Sequence, residues 1–185
     1  APNLLDITVD GRRIKAIAQI SKQGFTYVFD RETGEPVWPI EERRVDTYTD
    51  LDGEVLSPTQ PFPTKPPPFA EQGVSTDDLI DFTPELRAMA LEQVRNFRLG
   101  PIFTPPMMSV DGGLQGTLQR PPVGGAATWS GAGVDPETGI LYVPSSNNFT
   151  VMKYHTPDAA AGGNLRLTQM SFGTSGILPE MPRGL

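Results

Sequence analysis

The chain has 185 residues, 37% of them hydrophobic, and no apolar run approaching the ~18 residues that a bilayer-crossing helix needs, which leaves a modest core and no helical membrane span. A net charge of -7, from 22 acidic and 15 basic residues, argues against nucleic acid as a partner, because phosphate recognition needs a basic surface. The absence of cysteine excludes disulfides, thiolate zinc sites, a thiol nucleophile and Cys-x-x-Cys-His haem attachment within these residues, while 19 glycines and 20 prolines point to a turn-rich, β-rich chain.

Three strands are expected first, near residues 4–9, 14–20 and 25–30, with Asp10-Gly11 as one turn and Ser21 to Gly24 as the next. The third is aromatic and β-branched and runs into Asp30-Arg31-Glu32-Thr33-Gly34, where Asp30 can bond the turning backbone and Gly34 can take the positive φ that closes a hairpin. Trp38 is expected to begin the return strand. From about Glu41 to Pro106 the pattern changes. Pro58, Pro61, Pro63 and Pro66 to Pro68 forbid a continuous ladder, so residues 41–106 read as an extended insertion over the surface. Within it a helix is expected near 84–98, capped by Thr83, with Pro84 at the first helical position, Leu86, Met89, Ala90 and Phe97 at helical spacing and Gly100 as the stop. That helix either packs against the body of the protein or serves as a partner-binding element or lid.

Further strand material is expected at Ile102–Pro106 and at Ala126–Val134, and a clear strand at Ile140–Pro144. A near copy of the earlier turn stands at Asp135-Pro136-Glu137-Thr138-Gly139, and two such units suggest a repeat architecture in which each sheet buries its face against its neighbours. Residues 157–185 are expected as an irregular tail, either a last irregular strand pair or mobile chain. The acidic pairs Glu41-Glu42 and Asp77-Asp78 read as solvated surface or helix-start charges, and His155, with no candidate nucleophile or second ligand, as an ordinary strand or loop residue.

The run Ala18 to Phe25, followed by Asp-x-x-Thr-Gly-x-x-x-Trp from Asp30 to Trp38, resembles the β-propeller of pyrroloquinoline-quinone (PQQ)-dependent dehydrogenases. Ser57-Pro58-Thr59-Gln60-Pro61-Phe62-Pro63, Ile102-Phe103-Thr104-Pro105-Pro106, and Trp129-Ser130-Gly131 leading into Asp135-Pro136 look like its membrane-bound glucose dehydrogenase branch, in that branch's order. The resemblance covers roughly residues 1 to 150. It implies an all-β fold, a partial β-propeller of about three blades of four-stranded antiparallel sheet in a single domain, with a Pro-rich insertion carrying one α-helix. Blades run about 40 to 50 residues, so at most about four fit here, whereas the family builds eight from a longer chain. With Ala1-Pro2-Asn3-Leu4 starting where a strand is already under way, the chain reads as an excised piece or processed fragment.

The same resemblance implies site residues. The family's lysine in the turn before the Gly-Phe strand, here Lys22, reaches the quinone oxygens of PQQ, and a cation there stabilises charge developing on oxygen as hydride arrives at the adjacent carbon. Read alone, Lys22 is a solvated turn residue. Trp129 corresponds to a tryptophan approaching the cofactor funnel, with core packing between blades as the other reading. Many family members carry asparagine immediately before it as a cofactor partner. This chain has Thr128, whose hydroxyl cannot copy both ends of an amide. Trp38 is expected to be structural, docking between blades.

The family's catalytic aspartate lies upstream of the segment matching Ala1 to Ile7, and its calcium ligands come largely from earlier blades, so no catalytic or metal residue is assigned. The reading is a fragment of a periplasmic quinoprotein oxidising a sugar or alcohol, inactive alone, with calcium as Lewis acid in the parent enzyme and self-association through open edges. The competing reading is a non-enzymatic propeller-repeat scaffold of the periplasm. Such a scaffold needs Asp30 to Trp38 but has no reason to keep Lys22, Thr104-Pro105-Pro106 and Trp129 together.

Overall fold

The computed structural model describes residues 1–127 and 131–156, together with the backbone of a strand over Arg166–Met170. Among the described residues the architecture is strands in several small sheets with one α-helix and no closed barrel, as a partial propeller requires. The chain gathers into two compact units, each assembled from separated stretches: residues 1–44, 59–72 and 124–147 in the first, and 45–58, 73–123 and 148–185 in the second.

In the first unit β1 (Asn3–Val9), β2 (Arg12–Ile20) and β3 (Thr26–Asp30) form an antiparallel sheet in chain order. The register pairs Val9 with Arg12, leaving Asp10 and Gly11 as a two-residue turn with positive φ at both, the twist that matches right-handed strands. Period-two alternation sets the faces: Ile14, Ala16, Ala18 and Ile20 of β2 are buried, and Val28 of β3 joins them. Leu5, Ile7, Val9, Val37 and half-buried Trp38 pack against that cluster. The return strand at Trp38 differs from expectation. Val37 donates its N–H to Val28 at 2.9 Å and Phe29 bridges Pro36, but Pro39 has no N–H to continue the ladder. The chain therefore leaves β3 at Trp38 instead of returning along it.

β4 (Ile40–Arg44) pairs antiparallel with β5 (Thr59–Pro63), a ladder in the segment where the prolines had suggested none. The reason is parity. Thr64 donates its N–H to Pro39 across the hairpin at 3.0 Å, so even-numbered residues face β4 and the missing N–H groups of Pro61 and Pro63 face away. The Pro61 carbonyl, also pointing away, accepts the Tyr27 hydroxyl at 3.0 Å, and Phe25 packs edge-to-face on Phe62. Two further short strands, β8 (Gly133–Asp135) and β9 (Ile140–Tyr142), make a hairpin around the second Asp-x-x-x-Gly turn. Of the strand expected over Ala126–Val134, Gly133 and Val134 open β8, Ala126 and Ala127 are buried but not in a ladder, and residues 128–130 lie outside the described residues.

The second unit is built on β10 (Thr150–His155), a strand that no reading of the sequence isolated. One edge of β10 pairs with β11 (Arg166–Met170), and the other pairs first with β7 (Thr117–Gln119), antiparallel, and then with β6 (Met107–Met108), parallel. Among the described residues the sheets hold three, four, two and two strands. Ile102–Pro106, expected as a strand, is a turn. Phe103 has φ +70°, Thr104 bonds back to the Pro101 carbonyl through both its N–H and its hydroxyl, and Pro105 and Pro106 offer no ladder donors.

The helix α1 (Pro84–Val94) starts as the sequence predicts, with the Thr83 hydroxyl accepting the Leu86 N–H at 3.3 Å, but ends at Val94, short of Phe97. Its buried side chains are Ala90 and Val94. They join Val74, Leu79, Leu118 and Val151 in the core of this unit, while Met89 is exposed. That is the packing reading of the helix.

Candidate functional site

Lys22 sits in the turn between β2 and β3, and the turn is fixed by its own backbone. Ser21 donates its N–H to the Phe25 carbonyl at 2.8 Å, Gly24 donates back to Ser21 at 3.1 Å, and the Ser21 hydroxyl accepts the Phe25 N–H at 3.2 Å. Gly24 has φ +83°, and its Cα faces Ala70 so closely that a Cβ would lie 3.2 Å from the Ala70 methyl.

Two distant stretches of the first unit close on this turn. From one side Phe69 donates its N–H to the Gly24 carbonyl at 2.9 Å and the Gln72 amide donates to the Gln23 carbonyl at 2.7 Å. From the other, Ala126 donates its N–H to the Lys22 carbonyl at 2.9 Å, and the Ala126 carbonyl accepts the Ser146 N–H at 2.8 Å. The N–H of Glu71 is taken by the side-chain oxygen of Asn147 at 3.2 Å, joining the two flanking stretches.

The aliphatic stem of Lys22 lies over Gly125. A Cβ built on that glycine would stand 2.7 Å from Lys22 Cγ and 2.9 Å from Lys22 Cβ, distances real carbon atoms do not adopt, and φ at Gly125 is +97°. Lys22 is nonetheless exposed as a residue. The base of its stem is thus held against Gly125, and methylenes held in this way are ordered before a ligand arrives. The donor fits a quinone oxygen that gains negative charge on reduction. Thr128 and Trp129, the other expected cofactor contacts, follow Ala127 directly in the chain but lie outside the described residues.

The Asp-x-x-x-Gly turns are structural devices. Asp30 accepts the Glu32 N–H on its carboxylate at 2.9 Å and the Gly34 N–H on its carbonyl at 2.8 Å; Asp135 repeats both contacts with Glu137 and Gly139 at 2.9 Å each. The Thr138 hydroxyl bonds to the second Asp135 oxygen at 2.7 Å, and these donors hold the Asp135 carboxyl below its ordinary pKa.

The Thr104-Pro105-Pro106 segment, grouped with the cofactor-side motifs in the sequence, is tied inside the second unit. The Thr117 hydroxyl donates to the Pro105 carbonyl at 3.0 Å and the Gln119 amide to the Thr104 carbonyl at 3.2 Å. Two largely buried arginines that the sequence does not mark hold the same unit. Arg98 reaches Asp46 at 2.6 Å, donates to the Tyr48 carbonyl at 3.0 Å and lies over the Tyr48 ring, and Arg120 reaches Asp78 at 2.6 Å and the Gly73 carbonyl at 2.8 Å. Asp78 is therefore more than a solvated helix-start charge: it also closes a capping box with Ser75. Among the described residues no three His, Cys, Asp or Glu side chains converge as a metal site, and no helix is long and apolar enough to cross a membrane.

A family model described as glucose/ethanol/alcohol dehydrogenase, beta-propeller domain, of the PQQ class, matches residues 1–177. The chain is 36% identical over 141 residues to the quinoprotein glucose dehydrogenase of Escherichia coli (strain K12), covering 73% of this chain and 16% of that protein. It is 31% identical over 132 residues to the glycerol dehydrogenase large subunit of Gluconobacter thailandicus, covering 71% and 17%. It is 28% identical over 143 residues to the quinate/shikimate dehydrogenase (quinone) of Acinetobacter baylyi, covering 77% and 17%. The chain thus spans about a sixth of the length of the curated relatives it matches. No solved structure matches it significantly.

Proposed function

The chain belongs to the PQQ glucose/ethanol/alcohol dehydrogenase family through its beta-propeller domain, and from that premise we infer that it carries one part of the cofactor site of a quinoprotein oxidising a sugar or alcohol. The observation that carries this reading is the Lys22 turn: an exposed lysine whose stem is lodged against Gly125, in a turn held by backbone bonds from two distant stretches. When bound, PQQ supplies the hydride acceptor. Lys22 would donate to a quinone oxygen and stabilise the charge that grows there, with Thr128 and Trp129 as further contacts.

On this reading the chain is a piece of a longer periplasmic enzyme and is inactive by itself. A calcium ion would take its ligands, and the substrate its general base, largely from outside these residues. The relatives' printed names include glucose, glycerol and quinate or shikimate dehydrogenases, so a polyol or cyclic alcohol belongs with sugars in the proposed substrate class.

Titration of the purified chain with PQQ plus calcium, following cofactor absorbance and melting temperature together, tests the reading. Saturable binding that weakens about tenfold to a hundredfold in Lys22→Ala is the expected result, the worth of one charge-assisted hydrogen bond. Binding indifferent to Lys22 removes the lysine from the site, and no binding leaves a scaffold or half a site as the two readings.

A further inference from the structure

We propose that Gly125 is a positioning residue for the Lys22 ammonium, a backbone position that lets the base of the lysine stem lie against the stretch 124–127 and so sets the direction in which its charge is carried; this rests on the cofactor reading of Lys22 above. Three observations converge on it. The φ of +97° at Gly125 is one that L side chains rarely adopt, so the conformation favours glycine whatever the neighbouring space. The space is also taken: a Cβ would meet Lys22 Cγ at 2.7 Å, Lys22 Cβ at 2.9 Å and the Ala127 carbonyl at 2.9 Å. Nor is the stretch free to swing away. The adjacent Ala126 is bonded to Lys22 through its N–H and to Ser146 through its carbonyl, and Ala126 and Ala127 are both buried. The contrast with Gly124, whose added Cβ would meet nothing within 4 Å, isolates the requirement to the second glycine of the pair.

The chemistry follows from the geometry. A lysine has four flexible bonds between its backbone and its charge, and ordering them when a ligand binds costs rotamer entropy. Packing the first two methylenes against Gly125 meets part of that cost during folding. A side chain at position 125 displaces the stem, moves the ammonium away from its place and returns the ordering cost to the binding step.

The test uses Gly125→Ala, Lys22→Ala, Lys22→Gly and the corresponding double variants of the purified chain, with two readouts. The first does not involve the cofactor: the rate of acylation of each lysine amine, followed by peptide mass spectrometry across pH, with Lys65 as internal reference. Gly125→Ala is expected to change the Lys22 rate several-fold and leave Lys65 unaltered; an unaltered Lys22 rate overturns the proposal. Because the alanine also strains φ, Gly125→Asn, which better tolerates positive φ but keeps the Cβ, must give the same change. The second is PQQ affinity. Gly125→Ala is expected to weaken binding about as much as Lys22→Ala, with the double variant no weaker than Lys22→Ala alone, whereas losses that multiply overturn the coupling.

Melting temperature supplies the remaining control. The penalty of Gly125→Ala should shrink in the Lys22→Gly background, where the obstructing atoms are gone, and an equal penalty in both backgrounds, including failure to fold in both, overturns the contact. If Lys22→Ala binds PQQ normally, the cofactor reading fails, and the acylation rates still decide whether Gly125 positions the amine.

Discussion

Arg120 shows how a single side chain can hold a unit together without any local mark in the sequence. It is 13% exposed, donates to the Gly73 carbonyl and pairs with Asp78, itself 30% exposed. Arg120→Ala strands a half-buried carboxylate and a carbonyl, and urea unfolding should register a loss of roughly 1–3 kcal/mol, less than a fully buried pair because water still reaches Asp78. The pair has a pH signature. Burial pushes the Asp78 carboxyl up, but the bonds from Arg120 and from the Ser75 N–H and hydroxyl outweigh it and leave the pKa below the ordinary value. A carboxylate depressed in the folded state adds stability that is present above the ordinary aspartate pKa of about 3.9 and is lost as pH falls through the lower folded value. Asp46, depressed first by the Tyr48 N–H and then by Arg98, behaves the same way. Asp78→Asn should therefore be clearly less stable than wild type at pH 7 and nearly equal to it near pH 2. Lys22 and Gly125 mark the opposite limits of legibility: the lysine was visible through its neighbours Ser21 and Gly24, while the glycine gained meaning only once the fold brought position 125 against position 22.

The hairpin turns were legible because everything that makes them lies within five residues: Asp10-Gly11 supplies two positive-φ positions, and Asp30 to Gly34 and Asp135 to Gly139 each contain the acceptor and the positive-φ glycine they need. The start of α1 was legible for the same reason, and Thr83→Ala should cost about 1 kcal/mol in thermal unfolding. Strand β10 was not, because its three partners stand at 107–108, 117–119 and 166–170 and no local alternation announces them. The β4–β5 hairpin was misread because prolines were counted instead of placed: at alternate positions on an outer edge they cost the ladder nothing. Core elements give larger effects. Leu118, 2% exposed beside Val151 and Val94, should lose about 2–5 kcal/mol on replacement by alanine, and Phe25, packed on Tyr27 and Phe62, about 3–5 kcal/mol, both read as shifts of the urea midpoint at constant slope.

At the scale of the whole molecule, the family reading predicts that strand edges made to meet further blades are left to find other partners. Sedimentation velocity over a range of concentrations should show reversible self-association, and a strictly monomeric chain at high concentration would count against open edges. The path of the chain carries a separate consequence. The first unit draws on 1–44, 59–72 and 124–147, and the second on 45–58, 73–123 and 148–185, so the backbone passes from one to the other five times. A ribosome delivers residues in order, and the first unit lacks the stretch that closes on Lys22 until Ala126 and Asn147 have emerged. The first unit stays incomplete until residues 124–147 have emerged and the second until β10 has, with β1 to β3 exposed as a preformed sheet in the meantime. Ribosome-bound chains stalled before position 124 should therefore remain protease-sensitive beyond Arg44, and protection should arise late and together.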